Sequence, residues 1–281
     1  MTYLVTGTSS GIGRAVALRL AERGHDVIAG VRQASDAPAH SRIRPVTLDI
    51  TDAAQLAAAA KGVGQLRGLV NSAGVTFAAP VEYLSLDRLR EQLEVNVVGL
   101  VAATQAFLPA IRAGRGRIVM ISSTAGRVAV PFLGAYSASK FAVEAISDTL
   151  RQELLPWRVP VIIIEPGSFK SRNRATTEAA AEADRAVMGK SAECRYGQAM
   201  DAFMQFSRRV EANAGDPEYV AAVVERALTT SLPRTRYLVG TDARIAVTLS
   251  RLLPTRIIDA LQSRIIGLPP ARANKKWMAV D

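Results

Sequence analysis

The sequence predicts a doubly wound α/β fold: a single domain over residues 1–281, built on a parallel sheet of about seven strands with helices on both faces. Two observations predict this fold. Short runs rich in Val, Ile and Leu alternate along the chain with segments of helical periodicity, which implies parallel strands joined by helical crossovers. Runs such as 118–121 and 161–164 are apolar at every position, as expected where helices bury both faces of a sheet.

The elements alternate regularly as far as residue 168. We predict strands at 3–6, 26–31, 44–50, 66–74, 116–123, 159–167 and 236–240. We predict helices at 11–24, 52–62, 87–112 and 135–154. These short strands separated by helices favour crossover connections within one sheet.

Between the sixth and seventh strands, residues 169–215 have a mainly helical and polar pattern. The apolar residues of this segment are Met188, Tyr196, Met200, Phe203, Met204 and Phe206. We interpret the long excursion as a substrate-covering insertion and not as a second domain. Its apolar residues either contact a ligand or pack onto the body of the protein.

The C-terminal extension, residues 241–281, is basic and forms two amphipathic segments broken at Pro254. Ile257, Leu261 and Ile265 recur at four-residue intervals, so they share one face of a helix. This face either packs on the sheet domain or a partner subunit, or it covers the substrate entrance or contacts a membrane surface.

The composition limits the class of protein. The chain is 49% hydrophobic and 21% charged, which excludes a disordered polypeptide. Its single cysteine, Cys194, excludes an intramolecular disulfide and a cysteine-rich zinc site, and favours a cytoplasmic location. The first residues run directly into a strand without a leader, and no window holds 18 uninterrupted apolar residues, so we expect no transmembrane span.

The chain carries a net charge of +10, and nine basic and two acidic residues give +7 to the stretch 234–276 alone. No DNA- or RNA-binding motif accompanies this charge, so we expect no nucleic-acid partner. We expect a solvated basic surface, with peripheral contact to an anionic membrane or partner as the alternative. We predict no metal site.

The turn between the first strand and the first helix has the sequence VTGTSSGIGR. Glycines let the backbone turn sharply and approach a ligand, and the following helix offers free N–H groups and the positive end of its dipole to a phosphate. We therefore predict a Rossmann-type dinucleotide site here, with packing alone as the alternative. The predicted cofactor-binding residues of this turn are Gly7, Ser9, Ser10, Gly11, Ile12 and Gly13.

The end of the second strand distinguishes between the two nicotinamide dinucleotides. An acidic residue there would bind the adenosine ribose 2′-hydroxyl, whereas an arginine accommodates a 2′-phosphate. Val31 occupies the expected acidic position and Arg32 follows it. A guanidinium pairs with phosphate, so we predict NADP(H) as the cofactor in preference to NAD(H), unless Arg32 is an ordinary surface arginine.

The stretch GAYSASKFAVEA, residues 134–145, places Tyr136 and Lys140 four positions apart on one helical face. Phenols have a reference pKa of about 10, and a nearby ammonium lowers that pKa, so the pair predicts an acid/base group. The strand IVMI ends at Ser122 and Ser123, thirteen residues before the tyrosine. Ligands bind at such strand ends in open α/β sheets.

Taken in order, these motifs resemble the short-chain dehydrogenase/reductase family over roughly residues 2–171. The motifs are TGTSSGIG, Asp49, NSAG at 71–74, Asn96 in EVNVVG, Ser123, YSASK and EPGSF. Two positions depart from the usual family pattern, since Ser72 replaces an asparagine and Ser171 replaces a threonine. Both substitutions retain hydrogen-bonding ability.

The resemblance implies a catalytic role for four residues. Tyr136 would exchange a proton with the reacting oxygen, and Ser123 would hydrogen-bond that oxygen. Lys140 would hold the nicotinamide ribose and lower the pKa of the tyrosine. Asn96 would position a water in a proton relay to Lys140.

The resemblance also implies further contacts to the cofactor. Asp49 and Ile50 would flank the adenine, and Pro166 and Gly167 would shape the nicotinamide pocket. The cofactor would also be bordered by Asn71, Ala73, Gly74, Tyr136 and Lys140. The family implies a homodimer or homotetramer formed through helices 87–112 and 135–154.

The segment IIIEPGSFKS and the extension resemble the branch of the family that acts on steroids, retinoids and related bulky apolar alcohols or ketones. The expected function is therefore an NADP(H)-dependent oxidoreductase that interconverts a secondary alcohol and a ketone or aldehyde. One alternative is an NADP(H)-binding sensor or scaffold whose basic C-terminal segment binds a membrane or partner. Another is an isomerase or epimerase that uses the cofactor transiently.

Overall fold

The computed structural model describes residues 1–170 and 174–268, and it has the predicted Rossmann-type fold. Seven parallel strands form one sheet in the order β3-β2-β1-β4-β5-β6-β7. The strands are β1 (Thr2–Thr6), β2 (Asp26–Val31), β3 (Ile43–Thr47), β4 (Gly68–Asn71), β5 (Arg117–Ile121), β6 (Val161–Pro166) and β7 (Arg236–Val239). Ser171 and the end of the C-terminal extension, 269–281, lie outside the described residues.

Helices cover both faces of the sheet. They are α1 (Gly11–Glu22), α2 (Ala53–Lys61), α3 (Leu86–Leu93), α4 (Leu100–Ala113), α5 (Gly134–Glu153), α6 (Arg174–Ala212), α7 (Pro217–Thr229), α8 (Thr241–Leu252) and α9 (Thr255–Ile266). The helix predicted at 87–112 is divided, because a π-helical segment, Glu94–Gly99, joins α3 to α4. Such bulges are frequent at functional sites, and this one contains Asn96.

Helix α7 was not predicted from the sequence. Asp216 caps it by accepting a hydrogen bond from the Glu218 N–H at 2.9 Å, and Pro217 occupies the first turn. An aspartate followed by proline is a recognised start signal for a helix, so the sequence did contain the information.

The apolar residues of the strands point alternately to two cores. On one side, Val5 packs with Leu20 of α1 and Val224 of α7. On the other side, Leu4 packs with Phe107 of α4 and Val143 of α5. Full burial of each such side chain stabilises the folded protein by about 1.5–3 kcal/mol relative to exposure, so helices on both faces stabilise the sheet.

The stretch Leu86–Ala113 is also long and apolar enough, by length and composition, to cross a membrane. Leu100, Phe107 and Ile111 of this stretch are nevertheless at most 2% exposed, because they pack in the core beneath the sheet. A core helix of an α/β sandwich meets the same criterion as a membrane span.

The sheet order places β1 between β2 and β4, so the chain crosses over at this point. In parallel sheets the carboxyl ends of all strands lie at one edge, and ligands bind in the crevice where the strand order reverses. The turns that follow β1, β4, β5 and β6 therefore meet along one edge. These turns carry the residues of the predicted site.

The excursion predicted at 169–215 leaves and rejoins the sheet region at neighbouring points. The Gly215 N–H donates to the Ser168 carbonyl at 3.0 Å, and the Lys170 N–H donates to the Gly215 carbonyl at 2.9 Å. Between these points, α6 bends at Gly189, whose φ of 79° and ψ of 178° are not helical. Within the described residues, the insertion is thus two helical segments that meet at Gly189, and its end is fastened to the loop after β6.

The two amphipathic helices predicted around Pro254 are α8 and α9. Helix α9 contacts α6, and the Gln262 side chain donates to the Ala129 carbonyl at 2.9 Å. Ile257, Leu261 and Ile265 are 46%, 38% and 61% exposed. Within the described chain, their common face is therefore not covered by packing on the sheet domain.

Candidate active site

The glycine-rich turn after β1 packs backbone against backbone. Gly7 has φ +71°, and a Cβ atom at this residue would lie 2.6 Å from the Cα of Ala73. A Cβ atom on Gly13 would lie 2.3 Å from the carbonyl oxygen of Gly7. Any side chain here would displace the turn, so the glycines keep a shallow cradle at the start of α1.

The cradle leaves hydrogen-bond donors available. Ser10 occupies the position before α1, but within the described chain its side chain makes no capping hydrogen bond to the first turn. The first N–H groups of a helix are an anion-binding arrangement when no side chain caps them. The Thr6 hydroxyl, which the sequence analysis missed, accepts from the N–H groups of Ser72 and Ala73 at 3.1 and 3.2 Å and fixes the neighbouring loop.

The end of β2 presents the predicted phosphate-selecting residue. Arg32 is exposed, and it forms no ion pair with any residue that the structure describes. The Asp49 carboxylate accepts from the Thr51 N–H and hydroxyl at 2.9 and 2.7 Å, while Ile50 is only 5% exposed. The end of β2 and the turn after β3 thus offer a guanidinium and an apolar wall beside the cradle.

The last residue of β4, Asn71, has a buried polar atom without a partner among the described residues. The Asn71 amide donates to the Thr104 hydroxyl at 2.9 Å, whereas its Oδ1 makes no hydrogen bond within the described residues. Ala73 and Gly74 follow, with Ala73 against Gly7 and Gly74 close to the Asn96 amide. A buried acceptor left unpaired is uncommon in a folded protein, so this oxygen can accept a hydrogen bond from a bound molecule.

Ser123, Tyr136 and Lys140 come together at the carboxyl end of β5. The Ser123 hydroxyl contacts the Tyr136 phenol, and the Lys140 Nζ lies 5.7 Å from the centre of the tyrosine ring. The Nζ also donates to the Ile121 carbonyl at 2.9 Å, which fixes the lysine against the strand. The predicted serine, tyrosine and lysine therefore form one group.

Burial controls the protonation of this group. Burial raises the pKa of Tyr136, and the hydrogen bond with Ser123 opposes the shift only in part. Burial lowers the pKa of Lys140 to about 8, and Glu144 opposes that shift. The net direction for the tyrosine is opposite to the one expected from Lys140 alone, because desolvation of the phenolate exceeds the favourable contacts.

Asn96 lies in the π-helical segment and is 1% exposed. Its Oδ1 accepts from the Val75 N–H at 2.8 Å, and its Nδ2 donates to the Val75 carbonyl and the Ser139 hydroxyl, both at 3.0 Å. The structure thus places this side chain against Val75 and Ser139 and not against Lys140. Its role in a proton relay remains a prediction.

The turn after β6 is held by residues that the sequence analysis did not select. The Thr124 hydroxyl donates to the Pro166 carbonyl at 3.0 Å, and the Asp242 carboxylate accepts from the Ser168 N–H at 2.8 Å. A Cβ atom on Gly167 would lie 2.3 Å from an Asp242 oxygen. Asp242 lies 74 residues from Ser168 in the chain, so no local sequence signal could have revealed the contact.

A cavity of about 210 Å³ opens between α6 and the loops that precede α5 and follow β4. Its apolar lining residues are Ala78, Ala79, Phe132, Met200, Phe203 and Met204. The rings of Phe132 and Phe203 pack 5.3 Å apart, and Phe132 has a φ of 65°, which is uncommon for a bulky residue. Three of the apolar residues noted in the insertion therefore line this cavity, together with charged or polar side chains, namely Glu182, Arg185, Asp201, Gln205 and Arg208.

Other apolar residues of the insertion have different environments. Tyr196 packs edge-on against Tyr83 at 5.7 Å, and its hydroxyl donates to Glu82 at 2.7 Å. Phe206 lines a separate, open cavity of about 800 Å³ together with Phe169 and Tyr219. The insertion therefore both packs on the body and lines cavities.

The residues present fit a nicotinamide dinucleotide. Four features lie along one edge of the sheet. They are the glycine turn with no room for a Cβ atom, the uncapped start of α1, the unpaired oxygen of Asn71 and the buried Lys140. These features define the class as a dinucleotide-binding α/β protein with an acid/base group at the nicotinamide end.

The sequence comparisons agree with this class. Residues 1–182 match the family model described as short chain dehydrogenase, so the chain belongs to the short-chain dehydrogenase/reductase family and is an oxidoreductase that uses a nicotinamide dinucleotide. It is similar to retinol dehydrogenase 5 of Mus musculus, with 38% identity covering 94% of this chain and 88% of the relative. It is also similar to 17-beta-hydroxysteroid dehydrogenase type 6 of Rattus norvegicus, with 37% identity covering 96% and 89%.

Solved structures show the same fold. A short-chain dehydrogenase from Streptomyces avermitilis superposes with a TM-score of 0.73 at 28% identity, covering 96% of this chain and 98% of that one. A short-chain dehydrogenase from Burkholderia cenocepacia J2315, solved in complex with NADP, gives a TM-score of 0.72 at 28% identity with the same coverage.

Proposed function

We propose that the protein is an NADP(H)-dependent oxidoreductase that interconverts a secondary alcohol and a ketone or aldehyde. The observation that carries the proposal is the group formed by Ser123, Tyr136 and Lys140 at the carboxyl end of β5. The test is turnover of apolar carbonyl compounds with NADPH by the purified protein. Consumption of NADPH with substrate supports it, whereas product formed without net consumption would indicate the isomerase or epimerase alternative.

The bound nicotinamide supplies or accepts the hydride. The remaining chemistry belongs to this chain. The Tyr136 phenol, whose pKa is raised by burial, stays protonated near neutral pH and can donate its proton to a carbonyl oxygen. Ser123 hydrogen-bonds the same oxygen, and Lys140 holds positive charge beside the phenol as the proton leaves. In the oxidative direction the tyrosine accepts the alcohol proton.

We propose a bulky, apolar substrate. The cavity between α6 and the loops that precede α5 and follow β4 is lined in part by Phe132, Phe203 and two methionines, which suit apolar surface, and in part by five charged or polar side chains. The relatives named above are a retinol dehydrogenase and a hydroxysteroid dehydrogenase, and the chain matches 88–89% of their lengths. Retinoid and steroid carbonyl compounds are therefore the first substrates to test.

The preference for NADP(H) rests on Arg32. Substitution Arg32→Ala is expected to raise the Kd of NADPH by about tenfold or more, because a charge-assisted hydrogen bond contributes about 1.5–3 kcal/mol. The Kd of NADH should change little, since NADH has no 2′-phosphate. Both constants can be measured by titration of nucleotide fluorescence.

Arg42→Ala is the matched control for this substitution. Arg42 is also exposed, but it pairs with Asp26 at 3.0 Å, at the amino end of β2 and away from the cradle. Its removal should leave both nucleotide affinities unchanged. Equal weakening of NADPH and NADH binding in Arg32→Ala would contradict the assignment to the 2′-phosphate.

We also propose a homo-oligomer that associates through the outer faces of α4 and α5. A groove of about 330 Å³ between these helices is lined mainly by apolar side chains, including Val101, Leu108 and Ile146. Phe141 of α5 is 45% exposed in the single chain.

We propose a cytoplasmic location because the only cysteine, Cys194, is exposed and unpaired.

A second candidate function, an NADP(H)-binding scaffold on an anionic membrane, is favoured by the surface of α8 and α9. Of the sixteen large hydrophobic residues found exposed in the described chain, six lie on these two helices. They are Ile245, Leu249, Leu252, Ile257, Leu261 and Ile265. Four exposed arginines accompany them, namely Arg244, Arg251, Arg256 and Arg264. An apolar row with basic neighbours suits an interfacial helix.

Vesicle flotation separates the two candidates. If α9 contacts a bilayer, the variant Ile257→Ser/Leu261→Ser/Ile265→Ser should lose binding to phosphatidylcholine vesicles that contain phosphatidylglycerol. Leu232→Ser is the control, because Leu232 is 89% exposed outside both helices. The scaffold function requires such binding together with tight NADPH binding and no carbonyl turnover; turnover that persists in the triple variant contradicts it.

A further inference from the structure

A third residue continues the row of Tyr136 and Lys140. Glu144 follows Lys140 by four positions on α5, so its carboxyl group lies one helical turn further along the same face. Glu144 is 6% exposed and Lys140 is 7% exposed. Ionised groups are rarely buried to this extent unless they compensate one another, so both charges require an explanation.

Only one oxygen of the Glu144 carboxylate is paired. Arg236, on β7, donates to Oε2 through Nε and Nη2 at 3.2 and 3.1 Å. The other oxygen, Oε1, and the hydroxyl of neighbouring Ser122 are both buried without a partner of good hydrogen-bond geometry among the described residues, although Ser122 is close enough to Glu144 to lower the pKa of its carboxyl group. The carboxylate is thus fixed from the β7 side through Oε2, and Oε1 takes no part in that pairing.

The charges around Glu144 come from four parts of the chain. On α5 it has Lys140 and Asp148, and Asp148 pairs with Arg236 at 2.6 Å. Glu165 on β6 lies 3.4 Å from Arg236 and pairs at 3.1 Å with Arg127, in the loop after β5. Burial raises the pKa of Glu144, and Glu165 adds to the shift, while contacts with Ser122 and Arg236 lower that pKa.

Lys140 depends on this carboxylate. Its Nζ donates one hydrogen bond to a neutral carbonyl group, that of Ile121, and it forms no ion pair within the described chain. Burial lowers the pKa of Lys140 to about 8, and Glu144 is the charged group that opposes the shift. Without this charge, the lysine would lose its proton at a lower pH.

We propose that Glu144 is a positioning residue of the active site: its carboxylate keeps Lys140 as an ammonium over the working pH range, and Arg236 holds that carboxylate in place. This inference rests on the proposed function in one respect, namely that Lys140 takes part in the reaction. The charge coupling itself can be measured without turnover.

Glu144→Gln removes the charge and keeps the shape of the side chain. The chain has six lysines, so NMR of protein with ¹³C-labelled lysine can follow Lys140 alone, its signal being assigned with Lys140→Met. The titration midpoint of Lys140 should fall by about one pH unit in Glu144→Gln. If kcat requires the ammonium, its alkaline limb should fall by the same amount, with about a fivefold loss at pH 8 and little change at pH 6.

Glu165→Gln is the matched control. Glu165 is 1% exposed and belongs to the same arginine network, so its loss should destabilise the fold similarly, but it is on β6 and not on the face of Lys140. It should leave the Lys140 midpoint within a few tenths of a unit, roughly the variation expected without a direct charge partner. Glu144→Asp retains the charge, so the titration midpoint of Lys140 in this variant should stay close to that of the wild type.

An equal Lys140 midpoint in the wild type and Glu144→Gln overturns the inference, as does an equal shift in Glu165→Gln. Thermal unfolding of each variant shows whether it is folded at the temperature of the titration. A wild type that reduces no carbonyl compound, while its Lys140 midpoint still depends on Glu144, refutes the proposed function and leaves the charge coupling established.

Discussion

Substitution Tyr136→Phe is expected to lower kcat for carbonyl reduction by roughly 10²- to 10⁴-fold, the contribution of a positioned general acid. Phenylalanine retains the ring above which Lys140 lies at 5.7 Å and removes only the hydroxyl that contacts Ser123. The affinity for NADPH should therefore change much less than kcat. Steady-state kinetics and a nucleotide titration measure the two effects separately.

Tyr3→Phe is the control for this experiment. Tyr3 is also buried, at 1% exposure, but it belongs to β1, and among the described residues its hydroxyl makes one hydrogen bond, to the Met1 sulfur at 3.9 Å. The variant should have nearly unchanged kinetics. Retention of more than about a third of kcat in Tyr136→Phe would remove Tyr136 from the proton-transfer step.

Substitution Gly13→Ala is expected to weaken NADPH binding by at least about tenfold, which corresponds to 1.4 kcal/mol. The added Cβ atom would lie 2.3 Å from the Gly7 carbonyl oxygen, so the turn that carries the predicted phosphate-binding N–H groups must move. The sheet should stay intact, because the change is confined to the turn. The Kd of NADPH and the circular dichroism spectrum test both statements.

Gly62→Ala provides the matched comparison for Gly13→Ala. A Cβ atom on Gly62, at the end of α2, would meet nothing closer than the Ala59 carbonyl oxygen at 3.6 Å, an ordinary contact. Its effect on NADPH affinity should be negligible. An unchanged Kd in Gly13→Ala would show that the turn is a packing feature and not the cofactor cradle.

Most of the fold could be predicted from the sequence because its signals are local. Apolar runs such as 118–121 identify buried strands by themselves, and glycines at a strand-to-helix turn identify the cradle. Tyr136 and Lys140 could be placed on one face because helical spacing is fixed. The order of the strands in the sheet was not predicted, because right-handed crossovers fix the handedness of each connection and not the point at which the order reverses.

The remaining features depend on contacts between distant parts of the chain. Arg236 reaches Glu144 across 92 residues, and Asp242 reaches the turn after β6 across 74. The direction of the Tyr136 pKa shift depends on burial, which spacing does not reveal. The division of the long helix at the π-helical segment also has no signal in the apolar pattern.

The most direct test of the central claim is the stoichiometry of NADPH oxidation by the wild-type protein with apolar ketones and aldehydes, including retinoid and steroid compounds. We expect one alcohol to be formed for each NADPH consumed, and we expect Tyr136→Phe to lose nearly all of both NADPH consumption and alcohol formation. If NADPH binds tightly and no compound in the panel is reduced, or if the tyrosine variant reduces them as fast as the wild type, the account is contradicted.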